Sequence, residues 1–301
     1  MRTVSGFHDY ELIDADAGER LERWGDILLI RPDPQVMWSL GRQDERWHHA
    51  HAIYHRSASG GGFWECVKKV PDVWSVRYWE LTFRLKPMGF KHTGLFPEQA
   101  VNWELAAGLI RKANRPVKVL NLFAYTGGAT LACLQAGAQV THVDASKGMV
   151  QWAKENAAAS GLQDAPVRWL VDDCLKFVKR EIRRGNRYDA IIMDPPSYGR
   201  GPGGEVWKLE QQLAELLNEA GKLLSDQAVF FLLNSYTGGV SPTILNFMVS
   251  RYVVKGRDGE VSTDEIGLFV TDRGFSLPAG NTTVWIKGEY GQDTGSQSCH
   301  I

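Results

Sequence analysis

From residue 98 onward the apolar positions switch repeatedly between two periods. Residues 98–112 space them as a helix, and residues 117–122 follow as a buried strand. Helical spacing returns at 129–136, at 149–159 (closed by Gly161) and at 175–184. Strand-like runs lie between these helices at 138–143, 167–171 and 188–193. Residues 207–224 read as a helix, 228–234 as a strand, 241–250 as a helix and 282–287 as a last strand, before a polar tail after Gly288. This alternation predicts a doubly wound, mostly parallel α/β sheet.

The first hundred residues follow another pattern. Residues 26–31 form an apolar run stopped by Pro32 and Pro34, and residues 79–85 alternate with period two. Gly60, Gly61 and Gly62 mark a loop between strands. A small antiparallel sheet is expected, with its tryptophans in a core. The change of pattern divides the chain into a β-rich module at 1–94 and a larger domain at 95–301.

Composition excludes several classes. Of 301 residues 44% are hydrophobic and 23% charged, and no apolar run is long enough to span a bilayer. Met1 to Ser5 lack the apolar core of a signal peptide, so a cytoplasmic protein is expected. Cys66, Cys133, Cys174 and Cys299 lie far apart without CxxC spacing, which argues for reduced thiols and against a zinc site. The net charge of −1 gives no global field for nucleic acid. Between Arg46 and Arg115, however, 11 Lys and Arg face 5 Asp and Glu. His48, His49 and His51 have no acid at ligand spacing, so a surface loop is expected and no metal.

Chemistry concentrates at strand ends. Asp194-Pro195-Pro196-Ser197-Tyr198 follows the apolar run 190–193. Two prolines end that strand stiffly and hold Asp194 at the carboxyl edge of the sheet, where α/β folds bind ligands. A carboxylate and rigid carbonyls there suit a planar, nitrogen-bearing acceptor, with Tyr198 placed to stack on it. The turn Asn121-Leu122-Phe123-Ala124-Tyr125-Thr126-Gly127-Gly128 is not GxGxxG, so a pyrophosphate cradle is not expected. Its permissive positions read as Gly127 and Gly128. Asp144 ends the second strand and suits two ribose hydroxyls. Asp173 ends the third and suits an adenine amine, with Asp172 as its competitor. Asp144 and Asp173 also suit helix caps, and Cys174 a buried helix start. Together these residues describe a nucleoside pocket without a phosphate grip.

These motifs, in order, resemble the class I S-adenosylmethionine-dependent methyltransferases over about residues 95–287. The nearest resemblance is to bacterial large-subunit ribosomal-RNA cytosine-C5 methyltransferases, carried by residues 121–128, Val143-Asp144-Ala145-Ser146, Asp173, the Asp194–Tyr198 motif and the lead-in Thr93-Gly94-Leu95-Phe96-Pro97-Glu98-Gln99. The resemblance implies a Rossmann-like, seven-stranded sheet and S-adenosyl-L-methionine as cofactor. It also implies roles: Asp144 on the ribose, Asp173 on the adenine amine, the 123–128 turn on the methionine moiety, and Phe96 and Gln99 along the cofactor's open side. RNA is the implied partner. Relatives of that type often carry an RNA-binding PUA domain, for which the residues before Arg20 are too few. Cytosine-C5 transfer needs a cysteine thiolate, and no Pro-Cys or Thr-Cys-Ser motif is present. Ser197 also sets Tyr198 one place beyond the amine-methylating pattern. A protein or small-molecule acceptor, and a non-catalytic binding protein, stay open from sequence, as do monomer and homodimer.

Overall fold

The computed structural model of the protein describes residues 1–57, 61–201 and 203–291. The N-terminal strands are β1 (Arg2–Thr3), β2 (Tyr10–Asp16), β3 (Glu19–Trp24), β4 (Ile27–Pro32), β5 (Ala52–Arg56), β6 (Gly62–Cys66), β7 (Trp74–Tyr78) and β8 (Leu81–Leu85). There follow α1 (Ala100–Ala113), β9 (Lys118–Leu122), α2 (Gly128–Gln135), β10 (Gln139–Asp144), α3 (Lys147–Ala159), β11 (Val167–Val171), α4 (Cys174–Arg183) and β12 (Ala190–Met193). The chain continues through β13 (Tyr198–Arg200), β14 (Val206–Lys208), α5 (Leu209–Gly221), β15 (Phe230–Ser235), α6 (Pro242–Met248), β16 (Glu260–Val270), β17 (Phe275–Ile286) and α7 (Gly288–Gly291).

Seven strands in the order β11-β10-β9-β12-β15-β17-β16 make the central sheet. The first five run parallel and β17 lies antiparallel between β15 and β16. All six residues of β15 and all four of β12 are buried, because helices cover both faces. From β9 the chain moves outward to β10 and β11, then returns to place β12 on the other side of β9. The sheet therefore reverses direction between β9 and β12, and the loops leaving these two strands flank one crevice.

The N-terminal strands continue this sheet beyond β16, in the order β2-β3-β4-β5-β6. β2 joins β16 at the single pair Leu12–Val270, and β1 runs parallel to β16. The expected antiparallel pairing holds for β2–β3–β4 and β5–β6, but β4 and β5 pair in parallel. The period-two run at 79–85 is half of the β7–β8 hairpin, and Trp79 occupies its turn with φ of 51°. Gly62 already belongs to β6, whereas Gly60 and Cys299 fall outside the described residues. Residues 207–208 are strand, not helix, because Trp207 pairs with Gly199. The sequence pattern missed β16 and most of β17, whose small and polar residues mask an antiparallel ribbon.

One glycine in the lead-in to the crevice has a defined task. Gly94 sits at φ of +102°, a Cβ there would lie 2.3 Å from the Trp152 ring, and its carbonyl accepts from the Thr126 hydroxyl at 2.5 Å. Gly94→Ala is expected to destabilise the fold by about 2 kcal/mol through strain and overpacking. That lowers Tm by roughly 4–8 °C. An unchanged melting curve would show that the segment carries no such constraint.

Candidate active site

The crevice holds a cavity of about 340 Å³. It runs from the ends of β10 and β11 to the end of β12, so Asp144, Asp173 and Asp194 share it. Three carboxylates stand against one lining cation, Arg200, among the described residues. Such a wall suits hydroxyls, an amine and a positive centre, and does not suit a pyrophosphate.

The turn after β9 is more strained than its glycines indicate. Phe123 and Tyr125 both lie at positive φ, 54° and 49°, alongside Gly127 at 92°. Non-glycine residues in this region cost about 1–3 kcal/mol each and persist only where neighbours hold them. Asp144 is one such neighbour: its carboxylate accepts the Tyr125 N–H at 2.9 Å and the Ser146 N–H at 2.8 Å. Burial pushes the Asp144 carboxyl up, and these two hydrogen bonds oppose the shift. The permissive positions are thus Phe123, Tyr125 and Gly127, whereas Gly128 opens α2. Its missing Cβ makes room for the Trp103 ring, which would lie 2.4 Å away.

The remaining sequence candidates divide by position. Phe96, Ala145 and Ser146 line the cavity, with Ser146 capping α3. Asp173 lines it too, while one of its oxygens caps α4 at the Lys176 N–H. Asp172 does not reach the cavity, because Arg180 pairs with it. Gln99, Asn121, Ala124 and Thr126 line an adjoining hollow between β9, β12 and α1. Asn121 is held there by Thr130. Tyr198 is 53% exposed on β13 and does not line the cavity, so its proposed stacking position is not formed. Phe123, Trp207 and Tyr236 supply aromatic walls instead. Cys174 is buried as the first residue of α4, and its sulfur accepts the Phe123 N–H at 3.4 Å. Burial pushes this thiol well above its usual range.

The corner after β12 is pinned from every side. Asp194 accepts from Asn234 at 3.0 Å and from Gln99 at 3.3 Å. Gln99 also donates to the Tyr236 hydroxyl at 2.9 Å and accepts from Asn102. Asn102 continues to Thr282, and Thr282 to Asn234, closing a ring of hydrogen bonds beneath the carboxylate. The Pro196 carbonyl accepts the Trp207 indole N–H at 2.6 Å, and Ser197 meets Thr237 at 2.7 Å. Burial pushes the Asp194 carboxyl up to about 7, opposed by Asn234 and assisted by the buried Glu98. Asn102, Asn234, Tyr236 and Thr282 were not singled out from sequence, and Glu98 figured there only as part of the lead-in, without a role. A signal existed for Asn234, since Asn-Ser ends an otherwise apolar strand at the carboxyl edge.

The sequence model of S-adenosylmethionine-dependent methyltransferases matches residues 39–241. The chain belongs to this family. A crystal structure of the S-adenosylmethionine-dependent methyltransferase from Agrobacterium tumefaciens superposes with a TM-score of 0.90 at 38% identity, covering 94% of this chain and 92% of that one. A crystal structure of the protein SMU.776 complexed with SAH shares the fold, with a TM-score of 0.70 at 17% identity over 94% of this chain and 76% of that one. Among curated proteins, ribosomal RNA large subunit methyltransferase K/L of Shewanella frigidimarina is 35% identical over 155 residues. That match covers 51% of this chain and 21% of the relative, so the methyltransferase spans about a fifth of the length of such curated relatives. S-adenosyl-L-methionine is the family's cofactor, and the crevice's donor set fits it. Among the described residues no group of three or more His, Cys, Asp or Glu is placed to hold a metal, and no helix is long and apolar enough to cross a membrane.

Proposed function

We propose that this methyltransferase modifies a nitrogen of a base in ribosomal RNA, with the base seated at the Asp194 corner. Residues 95–301 form the cofactor-binding domain and residues 1–94 the acceptor-recognition module. Asp144 holds the ribose hydroxyls, Asp173 the adenine amine, and the turn at 123–128 the methionine portion, with Phe96 and Gln99 flanking it. S-adenosyl-L-methionine supplies, when bound, a methyl group already activated on a sulfonium. The chain's own task is alignment. The Asp194 carboxylate accepts an N–H of the acceptor and so turns the nitrogen lone pair into the cavity. Tyr236 and Trp207 fix the plane of the ring and exclude water. The pinned loop at Pro195 and Pro196 keeps that geometry from relaxing.

The observation that carries the choice of nitrogen is the state of Cys174. Transfer to a cytosine C5 requires a thiolate that adds to the ring. Cys174 lines the cavity, but its thiol is buried, pushed up and already engaged by Phe123. A nitrogen needs no such addition, because its own lone pair attacks. Ribosomal RNA is favoured over other acceptors by the names of the curated relatives, and such an acceptor supports the reading of a cytoplasmic protein. The test is a mass map of ribosomal-RNA modifications in a deletion strain. One nitrogen-methylated base is expected to disappear and to return on complementation. An unchanged map would exclude ribosomal RNA, and loss of a carbon-methylated base would exclude nitrogen.

A further inference from the structure

A second cavity, of about 440 Å³, opens beside the catalytic crevice and is lined by Tyr54, Arg56, Gly61, Phe90, Lys91 and His92. The charges around it do not balance. Arg31 is held by Glu22 at 2.5 Å and donates to the Lys91 carbonyl at 3.0 Å, and Arg20 faces Glu22 and Asp33 at 3.4 Å each. Among the described residues the Lys91 ammonium donates to the Pro32 carbonyl alone, at 3.1 Å. Arg56 is exposed and has no carboxylate partner among the described residues. Four cations, Arg20, Arg31, Arg56 and Lys91, thus stand against three acidic groups, Glu22, Asp33 and the buried Glu98, whose carboxyl burial pushes up toward its neutral form. Consistent with this excess, the Lys91 ammonium is pushed down to about 8, first by burial and then by Arg20, with Arg31 and Arg56 adding to the effect against Asp33.

Aromatic groups accompany the cations. Phe90 is 61% exposed at the cavity mouth. His92 lies 5.0 Å from Phe96, and Phe96 lies 5.4 Å from Tyr125 inside the catalytic cavity. Burial pushes the His92 imidazole down to about 3, so the ring stays neutral and presents a stacking face. Cations that track a backbone, interleaved with aromatic faces, are the chemistry that binds single-stranded nucleic acid.

We propose that this cavity is a phosphodiester subsite: Arg56 and Lys91 seat the backbone of a single-stranded RNA segment, and Phe90 stacks on a base adjoining the one at Asp194. The proposal rests on the RNA reading above. A strand seated here reaches the catalytic crevice past His92 and Phe96, which a paired base inside a duplex does not do without being extruded.

The test is fluorescence anisotropy with a labelled single-stranded RNA decamer over a range of salt concentrations. Arg56→Ala and Lys91→Gln are each expected to weaken binding about fivefold or more. Each is also expected to reduce the slope of log K against log salt by about 0.7, the value for one lost phosphate contact on a single strand. Calorimetry with S-adenosylhomocysteine checks the fold of both variants, with affinity expected within about twofold of wild type. Unchanged RNA affinity and slope in both variants would overturn the subsite and leave the RNA reading standing. Absence of RNA binding by the wild-type protein would overturn both. Arg56-dependent binding of inorganic phosphate without RNA binding would overturn the phosphodiester assignment.

Discussion

Asp144→Ala is expected to lower the affinity for S-adenosylhomocysteine by about 100-fold or more. Two losses contribute. A carboxylate accepting two hydroxyl hydrogens makes charge-assisted bonds worth about 1.5–3 kcal/mol each. Losing both exceeds the roughly 1.4 kcal/mol that corresponds to a tenfold change, by a factor of two or more. The second loss is local. The Asp144 carboxylate is the acceptor for the Tyr125 N–H, and Tyr125 and Phe123 hold left-handed backbone on the wall of the same cavity. Without that acceptor the turn relaxes away from the shape that contacts the cofactor. Asp144→Asn keeps one acceptor oxygen and no charge, so a smaller loss of about tenfold is expected. Calorimetry reads both variants, and wild-type affinity in Asp144→Ala would remove Asp144 from the cofactor site.

Asp194→Asn is expected to slow methyl transfer by about 10²–10³-fold, the usual effect of removing one preorganised electrostatic group. The wild-type pH profile follows from the same carboxyl. Burial pushes this carboxyl up to about 7 in the folded protein, and in the role proposed for Asp194 the carboxylate is the form that accepts the N–H. Activity is therefore present above about 7 and falls about tenfold per pH unit below it. In Asp194→Asn that limb is lost. Stability moves in the opposite sense. The folded value lies above the ordinary 3.8, so the folded state holds the proton more tightly than the unfolded chain. Stability contributed by this group falls as pH rises from 3.8 to about 7 and stays low above that. Asp194→Asn removes the penalty and is expected to melt about 2–4 °C higher than wild type at pH 8, with the difference vanishing toward pH 4. A stabilised but inactive variant is the signature of a strained functional group. A pH-independent wild-type rate between 5 and 8, or a variant that melts lower at pH 8, would count against this role for Asp194.

Much of the site was legible because it sits at strand ends, where an acid interrupts an apolar run. Asp144, Asp173 and Asp194 each do this, and the Pro-Pro pair marks where the last strand stops. The parallel core was legible too, since β12 and the first four residues of β15 are unbroken apolar runs, and β9 departs from one at Lys118 and Asn121. What stayed hidden depends on pairing between distant segments. Tyr198 is turned out of the cavity because residues 198–200 pair with residues 206–208, and nothing in either triplet marks that hairpin. Tyr236 and Asn102 meet Gln99, and through it Asp194, only because of the sheet order and the packing of α1. The left-handed turn at Phe123 and Tyr125 was hidden as well, because residue type favours glycine there and the tertiary hydrogen bond to Asp144 overrides it. The join between the N-terminal strands and the central sheet rests on three pairs, Leu12 with Val270, Arg2 with Ile266 and Thr3 with Gly267, which bring the two ends of the chain together.

Two carboxylates in one cavity are assigned to different partners: Asp144 to the cofactor and Asp194 to the acceptor. Parallel calorimetric titration of Asp144→Ala and Asp194→Asn with S-adenosylhomocysteine tests that division most directly. Asp194→Asn is expected to bind within about threefold of wild type while Asp144→Ala loses about 100-fold or more; equal loss of affinity in the two variants would contradict it.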